Sequence, residues 1–435
     1  MTRAVEDGRR SLAGWAFTLI ALCLALFVIA PADRVDHEDA KTYLYMATSL
    51  YEQGNFGGTF IRMPLYPALL GLLMVFDEHL VTLHALQALL LAASGILVFR
   101  SCAARGRPLI LCALAGSAFL WPTVAFAARM VMTEAVSIFL LTLLFLSWRD
   151  WLEAGRKRDA AVLFTAQLLA VLTKPVFAML PWLFAAFWLA KSGVGKRSLA
   201  RACVVFLVPF LLGYGGTALQ RYAAIGQFAY CPTAGFNLTN KVGGFWEHAR
   251  PDARGLVSAF LPVRDAQVAR LGSHEQAVWA AIPGLRKRFG LSYTELNAAF
   301  LEIGFSLIRD RPLGYAENVL ASIRRGLTIE PHYSWVKEGP VSSVFYVIHR
   351  ILFVLFWIVI IRDLFSAARR PRLDEPCLAV KTTVVAIYAA NVLLEFGDDF
   401  RLLMLLLPFM YLLALDGPTR LFEAKSGDAQ EMSAG

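Results

Sequence analysis

The stretch 39-DAKTYLYMATSLYEQGNFGGTFIRMPLYPALL-70 decides how the rest of the chain is read. It follows the first long apolar segment, and an acidic cluster, Asp36, Glu38 and Asp39, stands at its head. Tyr43, Met46, Ala47 and Leu50 recur at the i, i+3, i+4, i+7 spacing of one helical face, which predicts an amphipathic helix over 39–53. A Gly-rich turn follows, and then Arg62 in 62-RMPLYP-67, where the prolines impose an extended approach to the next apolar segment. That segment, 64–76, is too short to cross a hydrocarbon core of about 30 Å, so it is read as a re-entrant or interfacial helix. Carboxylates and a cation therefore gather at one mouth of a membrane helix.

The remaining sequence supplies the membrane. With 57% hydrophobic and 17% charged residues and a mean hydropathy of +0.55, the chain is too apolar for a soluble globule of its length. Apolar runs of about 20 residues, the length that spans a bilayer core, fall at 12–31, 80–99, 109–126, 131–148, 159–174, 175–190, 199–219, 341–361, 377–395 and 402–416. The expected fold class is all-α: a polytopic transmembrane helix bundle of about 10–11 spans with amphipathic helices on its outer face.

Orientation follows from Lys and Arg placement. With a cytoplasmic N-terminus, the inner segments carry Arg9 and Arg10, then Arg105 and Arg107, then Arg156, Lys157 and Arg158, and further basic runs at 191–197, 362–372 and 420–425. The pattern holds only if 64–76 does not cross. The net charge of +9 is then a positive-inside signal, and with no basic stripe interleaved with aromatics, no nucleic-acid partner is expected. The first apolar segment exceeds the length of a signal-peptide core and is read as an uncleaved helix. The organisation expected is a membrane module over 1–220 whose first outer loop is 32–79, an outer-face helical region over 221–340, membrane helices over 341–420 and a cytoplasmic tail over 421–435. In the outer region, Ser292-Tyr-Thr-Glu295 forms a capping-box start, and Pro312 suits the first turn of a helix running to about Arg325. Five of the six cysteines lie in or beside apolar spans, and no CxxC or His-x-x-x-His spacing occurs.

Five short outer turns carry ionisable residues. Asp39 either caps its helix or serves as a general base or metal-holding carboxylate beside the membrane. Arg62 either snorkels to the interface or binds a lipid phosphate through its guanidinium fork. In 129-RMVMTEAVSIFLL-141, Arg129 and Glu134 stand at the outer start of a membrane helix; an acid there complements the helix dipole, but an ionisable residue against a bundle is costly unless paired or functional. Lys174 in 171-VLTKPVF-177 joins two spans and faces the same side. In 395-EFGDDFRLLMLLLPF-409, Asp398 fits a solvated turn, whereas Asp399 and Arg401 lead into the last helix. Each signal alone is ordinary; their agreement on one face is what marks a site.

At these residues the chain resembles the GT-C superfamily of integral membrane glycosyltransferases, in particular the branch with the protein O-mannosyltransferases and the lipid A aminoarabinose transferase. Asp39-x-x-x-Tyr43 followed by Ala47, Leu50 and Gly54 is similar to that family's first outer loop, where an acidic residue opens an amphipathic helix at the active site. Arg62-Met-Pro-Leu-Tyr66-Pro resembles its basic-residue-plus-proline element. Arg129 to Glu134 resembles its second acidic motif, Leu172-Thr-Lys174-Pro its turn between paired helices, and Asp399 to Pro408 its late Arg-and-Pro helix start. The mannosyltransferase Asp-Glu pair is replaced here by Asp36-His-Glu38-Asp39, which leaves three carboxylates competing for one role. The region 220–340 has no counterpart in the resemblance, so sugar and acceptor stay open.

The resemblance implies an enzyme of the cell envelope. It would be a hexosyl- or pentosyltransferase in the inner membrane, taking a sugar from a polyprenyl-phosphate-linked donor to a lipid, glycan or protein acceptor on the periplasmic side. Asp39 is then the base and Glu134 a second catalytic carboxylate. Arg62, Lys174 and Arg401 converge on the donor phosphate, and Asp36, Glu38, Tyr43, Tyr66, Arg129 and Asp399 support them. Direct attack with inversion is the simplest course, since no second carboxylate is dedicated to a covalent intermediate. No cofactor is required, although a divalent metal ion held by Asp36, Glu38 or Asp39 is an open alternative. The rival reading is a transporter or flippase of an anionic lipid; it calls for mid-membrane ionisable residues and broken helices in paired halves, a pattern absent from the sequence.

The sidedness is directly testable. On a cysteine-free background, Asn55→Cys and Gly255→Cys are expected to react with a membrane-impermeant maleimide in intact cells. Reaction only after lysis would reverse the orientation.

Overall fold

With no water in hydrocarbon, every backbone N–H and C=O must find a partner within the protein, and an apolar chain of this kind meets that demand by coiling into helices. The computed structural model describes residues 12–24, 38–57, 61–76, 80–272, 274, 277–327, 340–369, 376–394 and 403–415, and among them there is no β-strand. The protein is an all-α polytopic membrane protein. Its helices are α1 (Leu12–Leu24), α2 (Glu38–Gln53), α3 (Leu65–Met74), α4 (Val81–Ala104), α5 (Leu109–Arg129), α6 (Glu134–Ala154), α7 (Lys157–Val171), α8 (Pro175–Ser192) and α9 (Lys196–Ala224). They are followed by α10 (Ala234–Val242), α11 (Arg254–Leu271), α12 (Ala277–Phe289), α13 (Tyr293–Asp310) and α14 (Pro312–Arg325). The last three are α15 (Pro340–Arg369), α16 (Pro376–Leu394) and α17 (Leu407–Ala414).

Among the described residues, seven helices are long and apolar enough to cross a bilayer: α4, α5, α6, α8, α9, α15 and α16. Each coincides with one of the ten crossings expected from hydropathy. The other three expected crossings fall on shorter helices. α7 has 15 residues because it ends at Val171, before the turn that Lys174 and Pro175 make; α1 and α17 adjoin residues outside those described. The helix expected over 39–53 is α2, and the short apolar segment is α3, only 10 residues long, with Tyr66 and Leu70 buried and Leu72 exposed.

The chain divides into two compact units. The first comprises Met1–Tyr230, Glu330–Ala386 and Met404–Gly435, the second Cys231–Ile329 and Ile387–Leu403. Packing in the first unit depends on small residues that let backbones approach. A Cβ on Gly95 of α4 would lie 2.7 Å from the Gly116 carbonyl oxygen of α5. On α3, a Cβ at Gly71 would lie 3.0 Å from the Ala47 carbonyl of α2, which seats these two short helices against each other. Long α9 contains Pro209, which has no N–H to give the Val205 carbonyl four residues earlier. The helix widens into π turns on both sides of the proline, and the buried Gln167 of α7 donates its side-chain N–H to Val205 at 3.2 Å. A polar side chain of one helix thus repairs the backbone of another.

The second unit has a core of its own in which Phe236, Trp246, Phe260 and Phe300 meet largely edge to face. The capping box at α13 is present: Ser292 Oγ accepts from the Glu295 N–H at 3.2 Å, and Glu295 accepts from the Ser292 N–H at 2.8 Å. α14 starts at Pro312 and ends at Arg325.

Gly95→Ala is expected to cost about 1–3 kcal/mol through overpacking against a backbone carbonyl. Gly216→Ala, in α9 where a Cβ meets nothing within 4 Å, should be neutral or stabilising, since Ala is the better helix former. Thermal unfolding in detergent checks both; equal melting temperatures would remove the argument from close approach.

Candidate functional site

One end of the first unit is built where α4 and α6 begin and α7 finishes. The C-terminal carbonyls of a helix have no intrahelical donor, and two at the end of α7 are taken by other segments. The Leu65 N–H, opening α3, donates to Leu172 at 3.1 Å, and the Tyr230 hydroxyl donates to Val171 at 2.6 Å. Lys174 is extended, as a residue before proline must be, and Pro175 starts the next helical turn. The Arg62 loop is thereby tied to the Lys174 turn.

Each of these two cations is bound to a carboxylate from a distant part of the sequence. Arg62 forms an ion pair with Asp39 across the α2–α3 connection, both side chains partly buried. Lys174 donates to Glu134, the first residue of α6, at 3.0 Å; the Glu134 side chain is wholly buried and that of Lys174 nearly so. Aromatic contacts lead from the first pair to Tyr66. The Arg62 guanidinium lies over the Tyr43 ring at 5.3 Å, and Tyr43 meets Tyr66 edge to face at 5.0 Å. Tyr66 is wholly buried, and burial, reinforced by Tyr43 and the Glu134 carboxylate, pushes its phenol well above the ordinary value, so it stays a hydrogen-bond donor.

The Tyr66 hydroxyl donates to Gln87 Oε1 at 3.0 Å, and Gln87 Nε2 donates to the carbonyls of Ala128 at 3.1 Å and Met130 at 2.8 Å. His84 Nδ1 lies 2.9 Å from the same Ala128 carbonyl. α4 therefore grips the backbone on both sides of Arg129, whose side chain is half-buried. Arg221, buried in α9, donates to the Arg62 carbonyl at 3.1 Å and the Ala229 carbonyl at 3.2 Å, fixing the backbone that presents the Arg62 side chain.

The structure thus brings together Asp39, Arg62, Tyr43, Tyr66, Glu134 and Lys174. Asp36, Asp398, Asp399 and Arg401 lie outside the described residues, so the expected convergence of Arg401 with Arg62 and Lys174 is untouched by the geometry; Glu38 is placed only as the first residue of α2. Among the described residues no three His, Cys, Asp or Glu side chains gather as a metal site. Sequence reasoning missed Arg221, Gln87 and His84. Their signal was there: polar side chains three residues apart in an apolar span, and an arginine at the end of another, are costly in a membrane unless they hold something.

These features define a class: a polytopic helical membrane protein with paired charges at one end of its bundle. No family model matches the chain, and no curated protein matches it. Among solved structures, it is similar to an archaeal oligosaccharyltransferase, AglB from Archaeoglobus fulgidus, solved in complex with an inhibitory peptide and a dolichol-phosphate. That similarity has a TM-score of 0.47 at 13% identity, covering 93% of this chain and 50% of the other, so the chain spans about half that protein's length. A likeness this coarse transfers no residue, substrate or mechanism.

Lys174→Met is expected to lower the melting temperature strongly, because it removes the cation from a buried carboxylate, a change that costs about 3–5 kcal/mol in buried pairs. The double variant Lys174→Met/Glu134→Gln should recover much of the loss. A double variant no more stable than the single one would show that the pair contributes nothing.

Proposed function

We propose that the protein is a membrane glycosyltransferase that moves a sugar from a polyprenyl-phosphate-linked donor to an acceptor hydroxyl at the exterior face of the membrane. The observation that supports this most directly is the pair of carboxylate–cation couples, Asp39–Arg62 and Glu134–Lys174, at one end of the helices, their segments tied by the Leu65 N–H to Leu172 carbonyl bond. Transfer of a glycosyl group from a phosphate requires a base for the attacking hydroxyl, positive charge for the leaving phosphate, and shelter from water. Both kinds of charge are held here, each neutralised by the other until a ligand arrives.

An incoming donor phosphate competes with Asp39 for the Arg62 guanidinium, whose planar fork suits two phosphate oxygens. Asp39, relieved of its counterion, then accepts the proton of the acceptor hydroxyl. The hydroxyl oxygen bonds to the anomeric carbon from the face opposite the phosphate, the carbon–oxygen bond to phosphate breaks, and polyprenyl phosphate departs against Arg62 and Lys174. Configuration inverts. Glu134 orients Lys174. The basic runs at the other helix ends support placement of this site on the exterior side of the inner membrane.

Purified protein incubated with a panel of polyprenyl-phosphate sugars and candidate acceptors should release free polyprenyl phosphate. Asp39→Asn is expected to lower the turnover number by about 10²–10⁴-fold with insertion and melting temperature little changed. Arg62→Ala should raise KM for the donor more than Arg62→Lys. Near-normal turnover in Asp39→Asn would make that residue a helix cap, and no release from any donor would overturn the proposal.

A further inference from the structure

The far end of the same helices holds a second polar site. A cavity of about 650 Å³ opens where α4 and α6 finish and α7 begins. At 1.5 Å per residue, the 21 residues of α6 place it about 30 Å from Glu134, close to the thickness of a hydrocarbon core. Half of its lining residues are charged: Arg100, Arg105, Arg149, Arg156 and Arg158 stand with Asp150, Glu153 and Asp159 among leucines, alanines and a valine.

Two of the arginines are built into the wall. Arg149 is buried, with Nε donating to Asp150 at 2.9 Å and one terminal nitrogen to Ser101 Oγ at 2.6 Å. Arg105 is buried at its side chain and paired with Glu153. Arg156 binds Asp159 at 2.7 Å. Each carboxylate is thus engaged by an arginine, and five arginines against three carboxylates leave two positive charges. Arg100 and Arg158 are exposed on the rim, and among the described residues neither has a carboxylate partner; Arg100 lies 6.0 Å above the Trp15 ring of α1. Arg149 and Arg105, pinned around an open volume, do not snorkel to the interface and give the recess a fixed wall.

We infer that this cavity binds a phosphate-bearing anion, either the headgroup of an anionic lipid in the leaflet opposite the Asp39–Arg62 site or a soluble phosphate compound. Arg100 and Arg158 supply the unmatched charge, and the Arg149 and Arg105 pairs hold the wall in shape. The volume lies in the range of small-ligand pockets, and an arginine-lined recess at headgroup depth is the physical form that anionic headgroup recognition takes. The inference does not depend on the proposed transferase activity.

The test uses full-length protein in nanodiscs of phosphatidylcholine, with and without a minor fraction of phosphatidylglycerol, and the double variant Arg100→Gln/Arg158→Gln alongside. Phosphatidylglycerol should raise the melting temperature of the wild type and be retained on it in native mass spectrometry. The variant should melt like the wild type in pure phosphatidylcholine and lose both effects. A separate arm adds inorganic phosphate or pyrophosphate to the neutral discs: a matching shift there, lost in the variant, assigns the site to soluble phosphates. Arg158→Gln alone replaces the double variant if loss of the Arg100–Trp15 contact impairs insertion. Equal responses of wild type and variant in both arms, or no response to either anion, would overturn the inference.

Discussion

A buried carboxylate governs the arrangement of the first unit. Glu134 has no exposed side chain, and a lone anion in that position would be pushed to neutralise or to reach water. Lys174, at the far end of the α7 turn, meets it instead. For that ammonium to arrive, α7 must run alongside α6 for its whole length, and the chain must turn sharply at Leu172–Pro175. The same turn offers the orphan carbonyls that the start of α3 and Tyr230 occupy. One charge pair thus fixes the turn at which the end of α7, the start of α3 and Tyr230 meet.

Rigidity at the site comes from side chains that do no chemistry. Arg221 donates to the backbone carbonyl of Arg62 itself, and Gln87 to the carbonyls on both sides of Arg129. Bonds of this kind fix the backbone and leave the functional head groups to pair with each other or with a ligand. The Tyr43–Tyr66 contact does similar work between the two ion pairs, since a phenol held protonated by burial cannot add charge to a place already balanced.

The two ends of the helices are electrically different. At the Asp39 end Arg62 and Lys174 are each held by a carboxylate, so a phosphate must displace a partner to bind either one. At the Arg149 end the wall is paired, but among the described residues the rim arginines Arg100 and Arg158 have no carboxylate partner, so an anion meets positive charge directly. Coulomb interactions at both ends are stronger than at an open surface because half of each environment is protein or lipid.

Much of this protein was decided by local sequence. The apolar runs, the amphipathic pattern of α2, the capping box at Ser292 and the helix start at Pro312 are read from neighbouring residues because backbone satisfaction and side-chain periodicity are short-range. The charges of Asp39, Arg62, Glu134 and Lys174 near helix ends were visible too. Their partners were not. Asp39 with Arg62 spans the α2–α3 connection, Glu134 with Lys174 spans α6 and α7, and Arg221 reaches the carbonyl of a residue early in the chain. Of the ten crossings read from hydropathy, seven coincide with helices long enough to span, two adjoin residues outside those described, and one, α7, ends at Val171 before the Leu172–Pro175 turn, which hydropathy does not register. Which ends meet is set by interhelix packing at places such as Gly95 against Gly116, and such long-range contacts leave no periodic trace in one sequence.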